Sequence, residues 1–254
     1  MRRLTTHMLE TDDGVSLTYY ELGSGRPVVL LHGYNAPAGP TWVDTGIAER
    51  LAGDGHRPIM PDLRGHGASV PTDGGAYPAD ALTTDALTLI AHLDLGEYDL
   101  GGYSLGARVV ARALTLGARP RRAFIGGTGL DPIVHAADRG ENYRRILSNL
   151  GTWEPGTPEA QFEGYVRQVG ADPVALIRVL DTFVDTAEED LAKVEVTTLV
   201  IAGDQDTDRG SVEDLAAILP NARLQRIPGD HFSALTSAEL KDQLARFLSD
   251  EPLS

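Results

Sequence analysis

Three residue types in this chain could together attack a carbonyl carbon: a serine, a histidine and an aspartate. Ser104 stands in Gly102-Tyr103-Ser104-Leu105-Gly106, behind a short apolar stretch and ahead of a helical one. A strand that turns sharply into a helix lifts the hydroxyl at the turn clear of the sheet, and flanking glycines remove side chains that would collide there. The serine then sits at a helix N-terminus, where free N–H groups favour developing negative charge. The Leu105 N–H is placed as one oxyanion donor. By itself the pentapeptide also reads as an N-cap serine between packing glycines. A nucleophilic serine needs a base, and the base needs an orienting carboxylate. His231 follows Pro228-Gly229-Asp230, just past an expected strand. Gly203-Asp204-Gln205-Asp206 stands past another. Asp206 has room in its loop to turn back toward His231, whereas Asp204, next to Gly203, can brace the turn. Asp208 is close by, and Asp131 is an outside candidate. The order serine, acid, histidine favours nucleophilic catalysis over a simple cap.

These residues must be carried by strands that end at one edge. Residues 15–22 alternate apolar and polar and read as an antiparallel edge strand. Residues 27–31 and 198–202 are continuous apolar runs, the pattern of strands buried on both faces. Residues 57–63, 98–100, 122–125 and 223–227 complete the strands. Helical stretches at 42–52, 79–93, 105–116, 211–219 and 238–248 alternate with them. That alternation implies an α/β fold, a mostly parallel central sheet flanked by helices. In such sheets sites form at the C-terminal ends of the strands.

One stretch breaks the pattern. Residues 131–196 show only helical periodicity: Tyr143, Ile146, Leu147 and Leu150 recur at i, i+3, i+4 and i+7, as do Phe162, Tyr165, Val166 and Val169. The domain reading is therefore a core of 1–130 and 197–254 with an all-helical insertion at 131–196. Trp153, Phe162, Tyr165 and Phe183 in that insertion could line a substrate pocket or simply fill its core.

Composition narrows the classes. With 42% hydrophobic and 23% charged residues the chain is globular. Net charge is 22 − 37 = −15, which disfavours nucleic acid and anionic membranes but says little about a cleft. The absence of cysteine excludes disulfides, thiolate catalysis and Cys-ligated zinc. No metal or cofactor is expected: the histidines lack ligand spacing, and Gly101-Gly102 and Gly126-Gly127 lack the phosphate-binding pattern. Met1-Arg2-Arg3 has no apolar run behind it and no stretch has the length of a membrane span, so a cytoplasmic location is expected. The expected partner is a small-molecule substrate.

Taken together, the residues resemble the α/β-hydrolase superfamily over most of the chain. Asp13-Gly14-Val15-Ser16-Leu17-Thr18-Tyr19-Tyr20-Glu21 is similar to its opening hairpin, and Val28-Val29-Leu30-Leu31-His32-Gly33 to its oxyanion strand. Asp62-Leu63-Arg64-Gly65-His66-Gly67-Ala68-Ser69 is similar to its Asp-x-Arg-Gly-x-Gly-x-Ser loop. The serine turn and the pair Asp206 and His231 follow in order. The resemblance implies that Ser104 is the nucleophile, His231 the general base and Asp206 its orienter. It implies a second oxyanion N–H on Tyr34, supporting roles for Asp62, Arg64 and His66, and a lid or cap at 131–196. The implied activity is hydrolysis of a small, apolar ester, thioester or lactone through an acyl-enzyme. A carbon–carbon bond hydrolase, perhydrolysis, a lyase or biosynthetic catalyst, and a ligand-binding receptor share the same fold. Ser104 argues against the dehalogenases and epoxide hydrolases of this fold, which use aspartate. Asp230 stands where the family often has glycine.

Overall fold

The computed structural model describes residues 3–71 and 75–249. Among them eight strands form one sheet: β1 Thr5–Glu10, β2 Ser16–Glu21, β3 Arg26–Leu31, β4 His56–Pro61, β5 Asp99–Tyr103, β6 Arg122–Gly126, β7 Thr197–Gly203 and β8 Ala222–Ile227. The spatial order is β1-β2-β4-β3-β5-β6-β7-β8. β2 pairs antiparallel with β1 and β4, and all pairings from β4 to β8 are parallel. The helices are α1 Ile47–Gly53, α2 Ala81–His92 and α3 Leu105–Thr115, then α4 Asp131–Val134, α5 Gly140–Leu147, α6 Pro158–Gln168, α7 Pro173–Val179 and α8 Glu188–Leu191. After β7 come α9 Val212–Ile218, α10 His231–Thr236 and α11 Ala238–Leu248.

The apolar run of β3 is explained by two-sided burial. Successive strand residues point to opposite faces. Val29 and Leu31 join a core with Leu82 and Leu89 of α2, Val110 and Leu114 of α3 and Leu215 of α9. Val28 and Leu30 join a second core with Ile47 and Leu51 of α1 and Leu240, Leu244 and Phe247 of α11. The sheet is thus covered on both sides, as a parallel sheet requires.

Three local expectations need correction. Residues 15–22 were expected at the sheet edge, but β1 covers them, so β2 lies one strand inward. β1 is mostly exposed, with Leu9 its one buried residue, and so carries little apolar signal. The expected helix 42–52 is broken at Gly46, whose φ of 77° is left-handed. A tight turn of π-type at Gly39–Val43 buries Trp42 against Phe124, and α1 starts afresh at Ile47. Residues 231–236 carry the short helix α10, for which no helix was expected. Among the described residues no helix is long and apolar enough to cross a membrane.

Arg64 ties the loop after β4 to its surroundings. Its guanidinium is 2% exposed and donates from Nε and Nη2 to the two oxygens of buried Asp85, at 2.9 and 2.7 Å. It also donates to both Asp13 oxygens, at 2.6 and 3.0 Å, and to the Ala76 carbonyl. These bonds from Arg64 hold the Asp13 carboxyl at a pKa of about 2. Arg64→Leu would leave Asp85 buried without a cation, and stability is expected to fall by about 3–5 kcal/mol. Urea denaturation reads this as a lower midpoint at constant slope; a loss under about 1 kcal/mol, the scale of an exposed pair, would contradict it.

Candidate active site

The strand order itself selects the place. β4 lies on one side of β3 and β5 on the other, so the chain reverses direction across the sheet between them. The loops leaving β3 and β5 part there and open a crevice at the C-terminal edge. Ser104 follows β5 directly, with φ 55° and ψ −112°, outside the usual regions for a residue with a side chain. Two close approaches enforce this turn. A Cβ on Gly106 would lie 1.9 Å from the Leu31 carbonyl oxygen, and one on Gly102 would lie 2.3 Å from the Gly106 carbonyl carbon. The Ser104 N–H donates to the Gly126 carbonyl at 2.8 Å, and its carbonyl accepts from Arg108 N–H, the start of α3.

The loops after β7 and β8 meet beside it. The Asp204 N–H donates to Ile227 O at 2.7 Å, and the Gln205 N–H to Gly229 O at 3.0 Å. A Cβ on Gly203 would lie 2.1 Å from Gly229 O, so the contact needs glycine. Asp204 Oδ1 accepts the Gly229 N–H at 3.0 Å and so spans the two loops. Two residues on, buried Asp206 meets His231, with Oδ2 2.7 Å from Nδ1. A carboxylate only accepts, so Nδ1 carries the proton and Nε2 is left with a free lone pair. Asp208 is exposed, and Asp131 pairs with His135 at 3.1 Å instead.

Asp230 is explained by its backbone. It is the N-cap of α10, and its Oδ1 accepts from the Phe232 and Ser233 N–H groups at 3.0 and 2.8 Å. The Ser233 hydroxyl accepts the Asp230 N–H in return, a capping box that starts the helix at His231. These bonds, first of all those from Ser233, hold the Asp230 carboxyl below its ordinary pKa. Tyr103, between Gly102 and Ser104 in the serine turn, donates its hydroxyl to the His231 carbonyl at 2.7 Å.

The loop after β3 is held from below. His32 accepts the Leu63 N–H on Nε2 at 2.8 Å, so its Nδ1 carries the proton and donates to Gly33 O at 2.8 Å. Burial keeps this imidazole neutral, with its pKa well below the ordinary value. His66 donates from Nε2 to the Tyr34 carbonyl. Asp62 accepts from the Ala38 and Ala68 N–H groups, both at 2.9 Å. Asp62, Arg64 and His66 thus act on backbone and ion pairs around the site.

Ser104 and His231 line one cleft with Gly33, Tyr34, Tyr103 and Leu235 of the core. Tyr143, Phe162 and Tyr165 close it from the helical segment 131–196, which leans on the core through a bond from the Tyr34 hydroxyl to Leu176 O at 2.7 Å. A second cavity is lined by Ser104, Tyr34, Leu105 and Phe183. Of the four expected pocket aromatics, Phe162, Tyr165 and Phe183 are therefore brought to Ser104. Trp153 is not: it lines neither cavity, packs 4.9 Å from the Arg145 guanidinium and donates to Ile146 O. Its indole serves the packing of the segment itself. Tyr143, which opens one of the helical apolar series, also lines the cleft, as do Arg209 and Phe232, which no pattern in the sequence marks.

Comparison with known proteins agrees with this architecture. Residues 28–243 match the alpha/beta hydrolase family. The chain belongs to that family. It is 30% identical to the non-heme chloroperoxidase CPO-A1 of Kitasatospora aureofaciens, over 86% of this chain and 89% of that protein. Among solved structures, a hydrolase from Pseudomonas aeruginosa shares 27% identity with a TM-score of 0.73, covering 96% of this chain and 98% of that one. A bromoperoxidase from Bacillus anthracis shares 26% with a TM-score of 0.73, covering 97% and 100%. An esterase from Thermogutta terrifontis, at 23% identity and a TM-score of 0.75 over 96% and 98%, shares the fold. As a member of the alpha/beta hydrolase family, the chain carries hydrolase-type architecture, with esterases and haloperoxidases among its neighbours.

Proposed function

We propose that the chain is a serine hydrolase acting through an acyl-enzyme on a small, largely apolar ester, thioester or lactone. The observation that carries this is the 2.7 Å contact between His231 Nδ1 and Asp206, with Ser104 and His231 lining the same cleft. It leaves Nε2 as a base facing the space that Ser104 also faces. The hydroxyl of Ser104 attacks the carbonyl carbon while Nε2 takes its proton. The oxygen gains negative charge and is held by the Leu105 and Tyr34 N–H groups, each donor typically contributing about 3–4 kcal/mol. The imidazolium then protonates the leaving group. Water, deprotonated by Nε2, attacks the acyl-enzyme and frees the acid and Ser104. Residues 131–196 form the cap, and its aromatics give the cleft an apolar roof.

A fluorophosphonate probe tests the nucleophile. Ser104 Oγ should bond to phosphorus as fluoride leaves, and mass spectrometry should find the adduct on the peptide holding Ser104. Labelling elsewhere, or none in folded protein, would remove this reading. A second reading, acyl transfer to hydrogen peroxide in place of water, draws support from the chloroperoxidase at 30% identity. Peroxide attack on the same acyl-enzyme gives a peracid and frees Ser104. Peracid forming faster than acid when peroxide is added would favour it.

A further inference from the structure

The second cavity beside Ser104 has an unexpected charge for a chain of net charge −15. Arg108, Thr128 and Arg209 line it together with Tyr34, Ser104 and Leu105, and no acidic residue does. Arg108 lies 4.2 Å over the Phe183 ring. Arg209 is half-buried and lines the cleft over Ser104 as well. Its Nη1 donates to the Tyr143 hydroxyl at 2.9 Å, and among the described residues no carboxylate forms an ion pair with it. Arginines elsewhere, such as Arg64, Arg121 and Arg226, do have such pairs. The two nearby acids act on Arg209 only through space: Asp206 holds His231, and Asp208 is exposed.

The backbone under Arg209 is fixed. Its carbonyl accepts the Gly129 N–H at 2.7 Å, and a Cβ on Gly129 would lie 2.4 Å from the Gly210 carbonyl carbon. The loops after β6 and β7 thus lock together where Arg209 emerges. A guanidinium held this way offers a planar fork that matches a carboxylate bidentately. With no carboxylate bonded to it directly, the Arg209 guanidinium keeps N–H donors for an incoming anion.

Arg209 lines both cavities, whereas His231 lines the cleft and not the second cavity. The leaving group must lie next to His231 to receive its proton, which leaves the second cavity, where Arg209 and Arg108 meet Ser104, for the acyl substituent. We propose that Arg209 binds a carboxylate on the acyl part of the substrate, so that the preferred substrates are monoesters or monothioesters of short dicarboxylic acids. This rests on the serine-hydrolase reading above.

Ethanol release from monoethyl glutarate and from ethyl pentanoate, a neutral ester of similar length, tests it. The wild-type protein is expected to favour monoethyl glutarate at least tenfold in kcat/KM. Arg209→Gln should lower that preference at least tenfold, mainly through KM, with Arg209→Lys recovering part of it. A wild-type preference for the neutral ester would overturn the proposal. So would a parallel loss on both esters in Arg209→Gln, which would make Arg209 a brace for Tyr143. Calorimetric binding of glutarate to Ser104→Ala protein is read separately and needs no turnover. It should weaken at least tenfold when Arg209→Gln is added; equal binding would overturn the proposal. Loss of the serine mechanism would show instead as Ser104→Ala protein that still turns over both esters.

Discussion

Ser104→Ala is expected to lower kcat on a short alkyl ester by at least about 10⁴-fold, the scale seen when a serine nucleophile is removed from a triad. The fold should be unaffected. Alanine keeps the Cβ, so it meets the same backbone at φ 55° and the same glycine cradle as serine. The Ser104 backbone bonds to Gly126 and Arg108 also survive. Only the attacking oxygen is lost. Turnover by pre-steady-state and steady-state kinetics, with circular dichroism and a denaturation curve as controls, checks both halves. A loss of less than about tenfold in clean protein would be too small for a missing nucleophile.

Asp206→Asn and Asp204→Asn should differ sharply although the residues are two apart. At Asp206 the amide can donate to Nδ1, which drives the imidazole proton onto Nε2 and removes the base. The expected loss in kcat is about 10⁴-fold, as for a tautomer error in other triads. At Asp204 the work is to accept the Gly229 N–H at 3.0 Å. Asparagine keeps an acceptor oxygen, so the change should be within a few-fold. Parallel kcat measurements on both variants decide the matter. The reverse order would assign the orienting role to Asp204.

The core strands were legible because burial on two faces leaves a continuous apolar run, as in Val28-Val29-Leu30-Leu31. β1 was not, because its side chains are mostly exposed and its order comes from pairing with β2. The helix break at Gly46 was missed for a related reason. Trp42, Ile47 and Leu51 are all apolar and buried in the same core, so the apolar stretch runs unbroken across the turn. Periodicity reports which residues are buried, and it does not report where the backbone changes hand.

The serine turn was the most legible part of the site. Its glycines are required by contacts within a few residues or with the adjacent β3, so local sequence records them. The choice between Asp204 and Asp206 depended on a long-range contact, the approach of Gly203 to Gly229. Its room in the loop, away from Gly203, made Asp206 the better candidate, and the loops bring it to His231. Among the pocket aromatics, composition alone could not separate Phe162, which reaches the cleft, from Trp153, which packs within its own segment.

By itself, then, the sequence determined the buried strands of the sheet, the helical character of residues 131–196 and the side-chain types that Ser104, Asp206 and His231 offer for chemistry. Those follow from periodicity and from short turns, which are local properties of the chain. The tertiary structure alone decided which side chains share a cavity with them. Arg209 is an unmarked loop arginine in the sequence. It faces Ser104 because Gly129 and Gly210 allow two loops to touch, and its lack of an ion pair depends on where the chain's other acids fold. Charge in a cleft is set by long-range contacts, so a net charge of −15 could not reveal it.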